Sequence, residues 1–339
     1  MVMLTLSVLD QTPIAVGMTP AQALANSLDL ARHCEALGYH RYWLAEHHAS
    51  PALAGSAPEI LIAAVAAATR TMRIGSGGVM LPHYSPLKVA EQFSQLAGLY
   101  PGRIDLGLGR APGSDQRTAI ALQQDRRQHA PNVFPQQLAE LLGYLENTLP
   151  AGHPFAALSA TLPGLPHAPE PWVLGSSPDS ATVACDLGLP YCFADFISAR
   201  GGDIAAAYRS QFQPRRAGDA PQVMAAIWTV CAETDAAAER LAAPARMMFA
   251  HLMTGQSIAV PDPDTAIAWL ADRPELERLR AGRRVVAGSP ETVRAGLTQA
   301  AAEYGAGEIM LVNILHGHDD RRRSYALAME AMSGLAAAA

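Results

Sequence analysis

Three stretches near the start of the chain decide the fold: Arg41–His48 (RYWLAEHH), Arg73–Pro82 (RIGSGGVMLP) and Arg103–Gly113 (RIDLGLGRAPG). In each stretch a β-prone run ends at polar residues or glycines, and a helical pattern follows. Polar groups at the carboxyl ends of consecutive strands are typical of α/β barrel enzymes, because closure of the barrel brings those strand ends to one face. The three stretches therefore predict a barrel with its functional site at that face.

The rest of the chain continues this alternation of short β-prone runs and amphipathic helices. Eight such units predict closure into a (β/α)8 TIM barrel, with a doubly wound open sheet as the alternative. We expect residues 1–339 to form one domain. The predicted strands are Met3–Val8, Tyr42–Glu46, Met72–Leu81, Ile104–Gly109, Trp172–Gly175, Tyr191–Phe196, Val223–Cys231 and Glu308–Ile314.

Two regions are longer than a minimal barrel requires. The region after strand 4 includes Pro150–Pro171, whose composition predicts an irregular loop, and the region of about 234–288 after strand 7 is too long for one crossover and predicts extra helices. Insertions at these positions are where barrels build lids and the walls of substrate sites.

Composition excludes several classes of protein. The net charge of −6 includes no basic block, which argues against a nucleic-acid partner. Lys88 is the only lysine, so Schiff-base and P-loop chemistry are not expected. The four cysteines form no C-x-x-C pair, which is typical of reduced thiols in the cytosol. No apolar run reaches the length of a membrane span, and we expect a cytoplasmic protein without a membrane partner.

Glu46, His47 and His48 stand at the end of the second predicted strand. Neighbouring strand residues face opposite sides, so the three side chains are not expected to converge on one metal ion. One histidine could be a hydrogen-bonded residue of the barrel wall. Alternatively, a histidine that titrates near neutral pH could act in catalysis. In either case His47 and His48 are expected to point to opposite sides.

Two glycine-rich segments follow. Gly75–Gly78 (GSGG) interrupts the third strand, which indicates either a close approach of a ligand to the backbone or a kink tolerated for packing. Gly107–Gly113 (GLGRAPG) has the wrong spacing and context for a dinucleotide fingerprint. Its Arg110 could bind a phosphate through forked, permanently charged donors or form a structural ion pair.

Gly175–Ser180 (GSSPDS) follows the fifth strand and opens a helix. Serine hydroxyls and free backbone N–H groups at a helix N-terminus form an anion site. Ordinary capping by Ser177, with Pro178 at the first helical position, is compatible with that role. His316–Asp320 (HGHDD) follows the last strand and could bind a metal, line the barrel mouth or cap a helix.

Taken together, these segments resemble the bacterial luciferase-like monooxygenase family of flavin-dependent TIM-barrel oxidoreductases, and in particular a single-chain sub-branch of unknown substrate. The resemblance covers nearly the whole chain. One departure is Gly109, since the luciferase catalytic subunit has a cysteine just before the arginine. The long luciferase lid is not evident, so light emission is not expected. The matching segments are LDQTP at 9–13, RYWLAEHH at 41–48, RIGSGGVMLPHYSP at 73–86, GRIDLGLGRAPG at 102–113, LGSSPDSA at 174–181 and GSPETV at 288–293.

The resemblance implies a role for each matching residue. It places His47 beside the flavin as the catalytic residue and puts a non-proline cis peptide at Gly77–Gly78 beneath the flavin. It also implies a phosphate clamp around Arg110, and it implies no metal. The cofactor-binding residues that it implies are Glu46, Ser76, Gly77, Gly78, Arg110, Gly175, Ser176, Ser177 and Ser180.

The implied activity is oxygenation of a small organic substrate by O2 and reduced FMN, which a separate flavin reductase supplies. Three alternatives stay open: hydride transfer with the deazaflavin F420, a non-catalytic flavin-binding barrel, and a metal-dependent hydrolase using His47, His48, His316 and His318. The helix Ile60–Ala68 is apolar nearly all round, which predicts a homodimer, as the resemblance also implies.

Overall fold

A computed structural model describes residues 4–111, 113–123, 132–199, 201–276 and 284–333. Eight parallel strands close into a barrel with helices around it, which confirms the predicted TIM barrel. Around the barrel the order is β1 to β7 and then β9, which pairs with β1. The strands are β1 Thr5–Asp10, β2 Arg41–Leu44, β3 Arg73–Met80, β4 Ile104–Gly109, β5 Glu170–Gly175, β6 Tyr191–Ala194, β7 Val223–Cys231, β8 Val285–Gly288 and β9 Glu308–Val312.

The strand β8 lies outside the barrel and is absent from the predicted strands. The strand β7 pairs with β9 only as far as Trp228, which lies opposite Val312. Beyond that point β7 would present an unpaired edge, and β8 pairs with it from Trp228 to Cys231. The ninth strand therefore covers an extension of β7 that the barrel itself leaves open.

Helices follow most of the strands, and their ends carry ordinary caps. The first begins at a capping box on Thr19 and ends at Gly38, whose φ of 88° is left-handed. The helices are α1 Pro20–Leu37, α2 Pro58–Ala68, α3 Pro86–Leu99, α4 Gln116–Leu122, α5 Phe134–Glu146, α6 Pro178–Asp186, α7 Gly202–Gln211, α8 Asp235–Met253, α9 Pro263–Ala271, α10 Pro290–Tyr304 and α11 His318–Ser333.

The insertions after strands 4 and 7 have the expected positions but more structure than predicted. The helix α4 lies in a region predicted as loop, and Pro150–Pro171 contains a 3₁₀ helix at Ala156–Thr161. The insertion after β7 contains α8 and α9, as predicted. None of the helices in the described ranges is both long and apolar enough to cross a membrane.

A buried ion network closes the amino end of the barrel. Asp105 has no exposed surface, and its carboxylate accepts hydrogen bonds from Arg41 Nη1 at 2.9 Å, Arg73 Nε at 2.8 Å and Trp43 Nε1 at 2.8 Å. Arg41 and Arg73 are the first residues of their strands. Pairing with two guanidinium groups compensates the cost of burying this carboxylate. The opposite, carboxyl end is therefore the end that remains for a site.

Candidate active site

Glu46 organises the loop that follows β2. The strand ends at Leu44, so Glu46, His47 and His48 lie in a loop and not in the predicted strand end. The Glu46 side chain is fully buried. Its carboxylate accepts hydrogen bonds from the Met80 backbone N–H at 2.9 Å and the Tyr84 hydroxyl at 2.9 Å, and it is 2.7 Å from His48 Nε2. These contacts tie the β2 loop to the end of β3.

His47 differs from its neighbour in having free ring nitrogens. Its backbone N–H donates to the Gly55 carbonyl at 2.7 Å, which fixes the loop. Neither ring nitrogen has a hydrogen-bond partner among the described residues, and Nδ1 is buried. Burial, aided by the nearby His48, lowers the pKa of His47 to about 4. The imidazole is therefore neutral at pH 7, with one donor and one acceptor nitrogen available to a ligand.

His48 fits the role of a hydrogen-bonded wall residue. Besides its contact with Glu46, its ring packs edge-to-face on His83, with 5.7 Å between centroids. Both His47 and His48 line one cavity, although we expected them to face opposite sides. The end of β2 at Leu44 explains the difference, because the strict alternation of a strand no longer applies in the loop that follows.

The third strand carries the predicted non-proline cis peptide at Gly77–Gly78. A Cβ atom would lie 2.4 Å from Leu9 Cδ1 at Gly77 and 2.8 Å from the Gly107 carbonyl oxygen at Gly78. The Ser76 hydroxyl donates to that same carbonyl at 2.8 Å. Close packing between β3 and its neighbours therefore requires glycine at both positions, and contact of Ser76, Gly77 and Gly78 with a cofactor stays a prediction.

Arg110 and the start of α6 come together at the carboxyl ends of β4 and β5. Arg110 Nη1 lies 3.4 Å from Asp179 Oδ2, in the first turn of α6. The two side chains are 47% and 73% exposed, so this ion pair contributes little to stability. The guanidinium thus stands beside a helix N-terminus, where dipole and free N–H groups favour an anion.

The three serines of this segment have different roles. Ser177 caps α6 by accepting from the Ser180 backbone N–H. The Ser180 hydroxyl donates to the Ser177 carbonyl at 2.7 Å and lies 2.9 Å from the Tyr191 hydroxyl. A Cβ atom at Gly175 would lie only 2.2 Å from the Ser180 Oγ and would collide with it. Ser176 has no side-chain partner within the described ranges, so its hydroxyl is the serine donor free for an anion.

A cavity of about 590 Å³ occupies the carboxyl end of the barrel. His47 and His48 lie in its wall, as do Gly113 and Asp115, which follow β4. The end of α8 and residues 255–258 form part of its wall. The lining residues include Gln11, His47, His48, Leu53, Asp115, Phe196, Trp228, Met248, Phe249, Leu252, Ile258, Val312 and Ile314.

Gln11 is a candidate that the sequence analysis did not single out. It follows β1, is 5% exposed and lines the cavity. Its amide has no hydrogen-bond partner in the part of the chain that the structure describes. A polar residue directly after the first strand, within the LDQTP segment, was the signal available in the sequence. Its free amide became apparent only when the surrounding strands were in place.

The two histidines that follow β9 contact protein groups. His318 Nε2 lies 2.8 Å from Asp29 Oδ2, and His316 Nδ1 lies 3.1 Å from the Val260 carbonyl. Within the described ranges, no group of three or more His, Cys, Asp or Glu side chains is placed to hold a metal ion. The hydrolase alternative therefore finds no support in this arrangement.

The chain belongs to the luciferase-like monooxygenase family, whose sequence model matches residues 4–308. It is 40% identical to the luciferase-like monooxygenase of Escherichia coli strain K12 over 96% of both chains. It is 35% identical to the N-acetyl-S-alkylcysteine monooxygenase of Bacillus subtilis strain 168, over 97% of this chain and 98% of the relative. The crystal structure of apo-MsnO8 superposes with a TM-score of 0.89 at 41% identity, over 97% of this chain and 98% of that one.

More distant structures share the fold alone. The oxygenating constituent of 3,6-diketocamphane monooxygenase from Pseudomonas putida, in complex with FMN, has a TM-score of 0.70 at 17% identity, over 98% of each chain. An F420-dependent secondary alcohol dehydrogenase has a TM-score of 0.63 at 15% identity, over 97% of this chain and 99% of that one. The fold therefore occurs with both FMN and F420, and the cofactor of this protein has to be inferred from other observations.

Proposed function

We propose that the protein is a flavin-dependent monooxygenase that uses reduced FMN and O2 to oxygenate a small organic substrate. One observation carries the proposal: at the carboxyl end of the barrel the Arg110 guanidinium stands beside the start of α6, and a cavity at the same end has in its wall His47, whose ring nitrogens have no partner among the described residues. A phosphate-bearing cofactor and a separate substrate can thus reach the same barrel mouth.

The donor set fits the phosphate of FMN. The Arg110 guanidinium, the free backbone N–H groups at the start of α6 and the Ser176 hydroxyl are all donors, as a phosphate dianion requires. Asp179 is the carboxylate beside them, and its contact with Arg110 at 3.4 Å is exposed and readily replaced. When bound, reduced FMN would supply the electrons that activate O2.

His47 would donate or accept a proton during the reaction, from the wall of the cavity. Because its pKa is about 4, the ring is neutral at pH 7, and each free nitrogen can donate or accept one hydrogen bond. Glu46 does not touch that ring. It holds His48 and the backbone of Met80, and so positions the loop in which His47 lies.

Oxygen chemistry is favoured over hydride transfer to F420 because the relatives at 35–40% identity are named monooxygenases. The F420-dependent structure stands at only 15% identity. The sequence shows no nicotinamide-binding segment, which supports delivery of reduced FMN by a separate flavin reductase. We place this reaction in the cytoplasm.

We also propose that the protein acts as a homodimer paired through α2 and α3. Ile60 on α2 is 68% exposed and Leu99 on α3 is 62% exposed. The two helices are neighbours in the fold. Large apolar side chains exposed on adjacent helices are typical of a surface that a second copy covers.

Cofactor titrations of the purified protein test the proposal, with bound FMN, riboflavin and F420 followed by fluorescence. We expect FMN to bind more tightly than either of the others. His47→Ala should keep most FMN affinity, since the phosphate site is elsewhere, and lose substrate oxygenation by a factor of order 10². Preference for F420, or full oxygenation by His47→Ala, would contradict the proposal.

A matched histidine variant serves as the control. His48→Ala removes one of the three partners of the buried Glu46 carboxylate, so its main effect should be on thermal stability. If His48→Ala lost oxygenation and His47→Ala did not, the roles of the two histidines would be reversed.

A further inference from the structure

A second cavity lies at the amino end of the barrel, away from the candidate active site. Its volume is about 530 Å³, and its wall includes Leu142 and Glu146 of α5, Leu187 after α6, and Arg215 and Arg216 before β7. Segments that lead from a helix into the next strand lie at the amino end of a βα barrel, opposite to the active-site face. We call this space the amino-end pocket, and it shares no lining residue with the cavity beside His47.

Arg215 is the residue of this pocket whose hydrogen bonds the fold does not complete. Its side chain is 23% exposed, and its Nε and Nη1 atoms are buried without a hydrogen-bond partner among the described residues. Its Nη2 atom lies 2.9 Å from Glu146 Oε1. A guanidinium carries five N–H donors, and buried donors are normally paired with protein, water or an ion. The unused donors of Arg215 are therefore suited to an anionic ligand.

The charges around Arg215 leave its cation for such a ligand. Arg216 Nη2 donates to Glu146 Oε1 at 2.8 Å, so that carboxylate already has a cationic partner. Asp219, the other carboxylate that acts on Arg215, accepts from the Arg216 backbone N–H at 2.8 Å. Burial lowers the pKa of Arg215, but a guanidinium stays charged at pH 7. Two carboxylates and two guanidiniums sum to zero, so a ligand with one negative charge fits better than one with two.

The backbone of Arg215 is held firmly against the end of α6. A Cβ atom at Gly188 would lie 2.7 Å from the Arg215 backbone nitrogen and 2.9 Å from the Arg215 Cβ atom, so the two segments are in direct contact. The Gln213 backbone N–H also donates to the Cys185 carbonyl at 3.1 Å. These contacts fix the position from which the guanidinium reaches the pocket, and a preorganised group loses less entropy when it binds.

The rest of the wall is mainly apolar. Leu142, Leu149, Pro150 and Leu187 belong to it, and Thr148 adds a hydroxyl group. Pockets that bind small molecules have such walls, with a few polar groups that fix the orientation of the ligand. The ligand should therefore combine one anionic head with a short hydrocarbon chain.

We infer that the amino-end pocket binds a small monocarboxylate, with its head on the Arg215 guanidinium and its chain against Leu142, Leu149 and Leu187. The two oxygens of a carboxylate match the forked donors of a guanidinium and bring the single negative charge that the pocket can accept. This site is separate from the one proposed for FMN, and its occupation does not depend on the proposed function.

The first test compares hexanoate with hexanamide, which has the same chain and no charge, by ligand-observed NMR titration of the parent protein at pH 7.5. Hexanoate should bind at least about tenfold more tightly, because only the carboxylate pairs with the charge of Arg215. Hexyl phosphate, which is mainly a dianion at this pH, should bind more weakly than hexanoate. Equal affinity for hexanoate and hexanamide, tighter binding of hexyl phosphate, or no binding of hexanoate overturns the inference.

The second test removes the cation. Arg215→Gln should weaken hexanoate binding at least about tenfold and abolish the rise in melting temperature that hexanoate gives the parent. Arg240→Gln is the matched control, because it removes an equal charge from an arginine that pairs with Asp264 and does not line the pocket. Hexanoate affinity that is unchanged in Arg215→Gln would place the ligand elsewhere and overturn the inference.

A third variant fills the pocket and keeps Arg215, so the test stays decisive even if Arg215→Gln fails to fold. Ala139 lies on α5, lines the pocket and is exposed, so the fold should tolerate Ala139→Trp. The indole ring should occupy the space of the hydrocarbon chain, and hexanoate affinity should fall at least about fivefold. An Ala139→Trp protein that binds hexanoate as tightly as the parent would contradict the placement of the ligand in this pocket.

Discussion

Arg110→Ala should weaken FMN binding by about ten- to a hundredfold and leave riboflavin binding unchanged. The expected loss corresponds to a charge-assisted contact of roughly 1.5–3 kcal/mol, which only the phosphate can make. The guanidinium is 47% exposed, and its contact with Asp179 at 3.4 Å is weak. Removing the guanidinium should therefore leave the fold intact, so that the loss of FMN affinity measures the missing contact with the phosphate.

The neighbouring carboxylate supplies a change of opposite sign. Asp179→Asn removes the negative charge that competes with a phosphate for the same guanidinium. FMN affinity should rise about two- to fivefold, the effect expected for an exposed ion pair, and it should shrink at high salt. Riboflavin affinity should again stay constant, since riboflavin carries no phosphate.

Quenching of flavin fluorescence measures both affinities in parallel titrations. The pair of Arg240 and Asp264 is a matched control, because its side chains are 46% and 78% exposed, close to the values for Arg110 and Asp179. Arg240→Ala should change neither affinity. Equal losses for FMN and riboflavin in Arg110→Ala would refute the assignment of Arg110 to the phosphate.

Three further outcomes are expected. Glu46→Gln should lower the free energy of unfolding by about 1.5–3 kcal/mol in urea titrations, because it weakens the hydrogen bonds that the buried carboxylate accepts from Met80 and Tyr84. Glu91→Gln on the surface is the control, and equal small effects would contradict the role of Glu46. Ile60→Glu should convert a dimer into a monomer in light scattering at micromolar concentration, and a monomeric parent would refute the proposed pairing. Stability should fall as the pH decreases from 6.5 towards about 4, because the unfolded chain binds a proton at His47 that the folded chain excludes. His47→Gln should reduce that slope in urea titrations, and an unchanged slope would show that His47 is not buried as a neutral ring.

The barrel was predictable because its signals are local. Each strand is a short apolar run, and each following helix has its own start, as Thr19 and Ser177 show. The strand β8 was missed because its four residues gain their pairing only from the extension of β7, which no local pattern reveals. The loop at Glu46 was predicted as strand because the apolar run gives no sign of where pairing with β3 stops.

The residues of the candidate site could be predicted from the sequence, whereas most of their contacts could not. The approach of Arg110 to α6 followed from strand ends meeting at one face of a barrel. The partners of Glu46 could not be predicted, since Met80 and Tyr84 are more than thirty residues away in the chain. For the same reason Gln11 went unnoticed: a free amide is defined by what surrounds it, and those neighbours come from several strands.

The central claim is that this protein transfers an oxygen atom from O2, and the origin of that atom tests it most directly. The parent protein would be supplied with reduced FMN, ¹⁸O2 and a small organic substrate found by screening, and the mass of the product would be measured by mass spectrometry. The account predicts one ¹⁸O atom in the product, and no product when reduced F420 replaces reduced FMN. Product formed without O2, or carrying oxygen from water alone, would contradict the account.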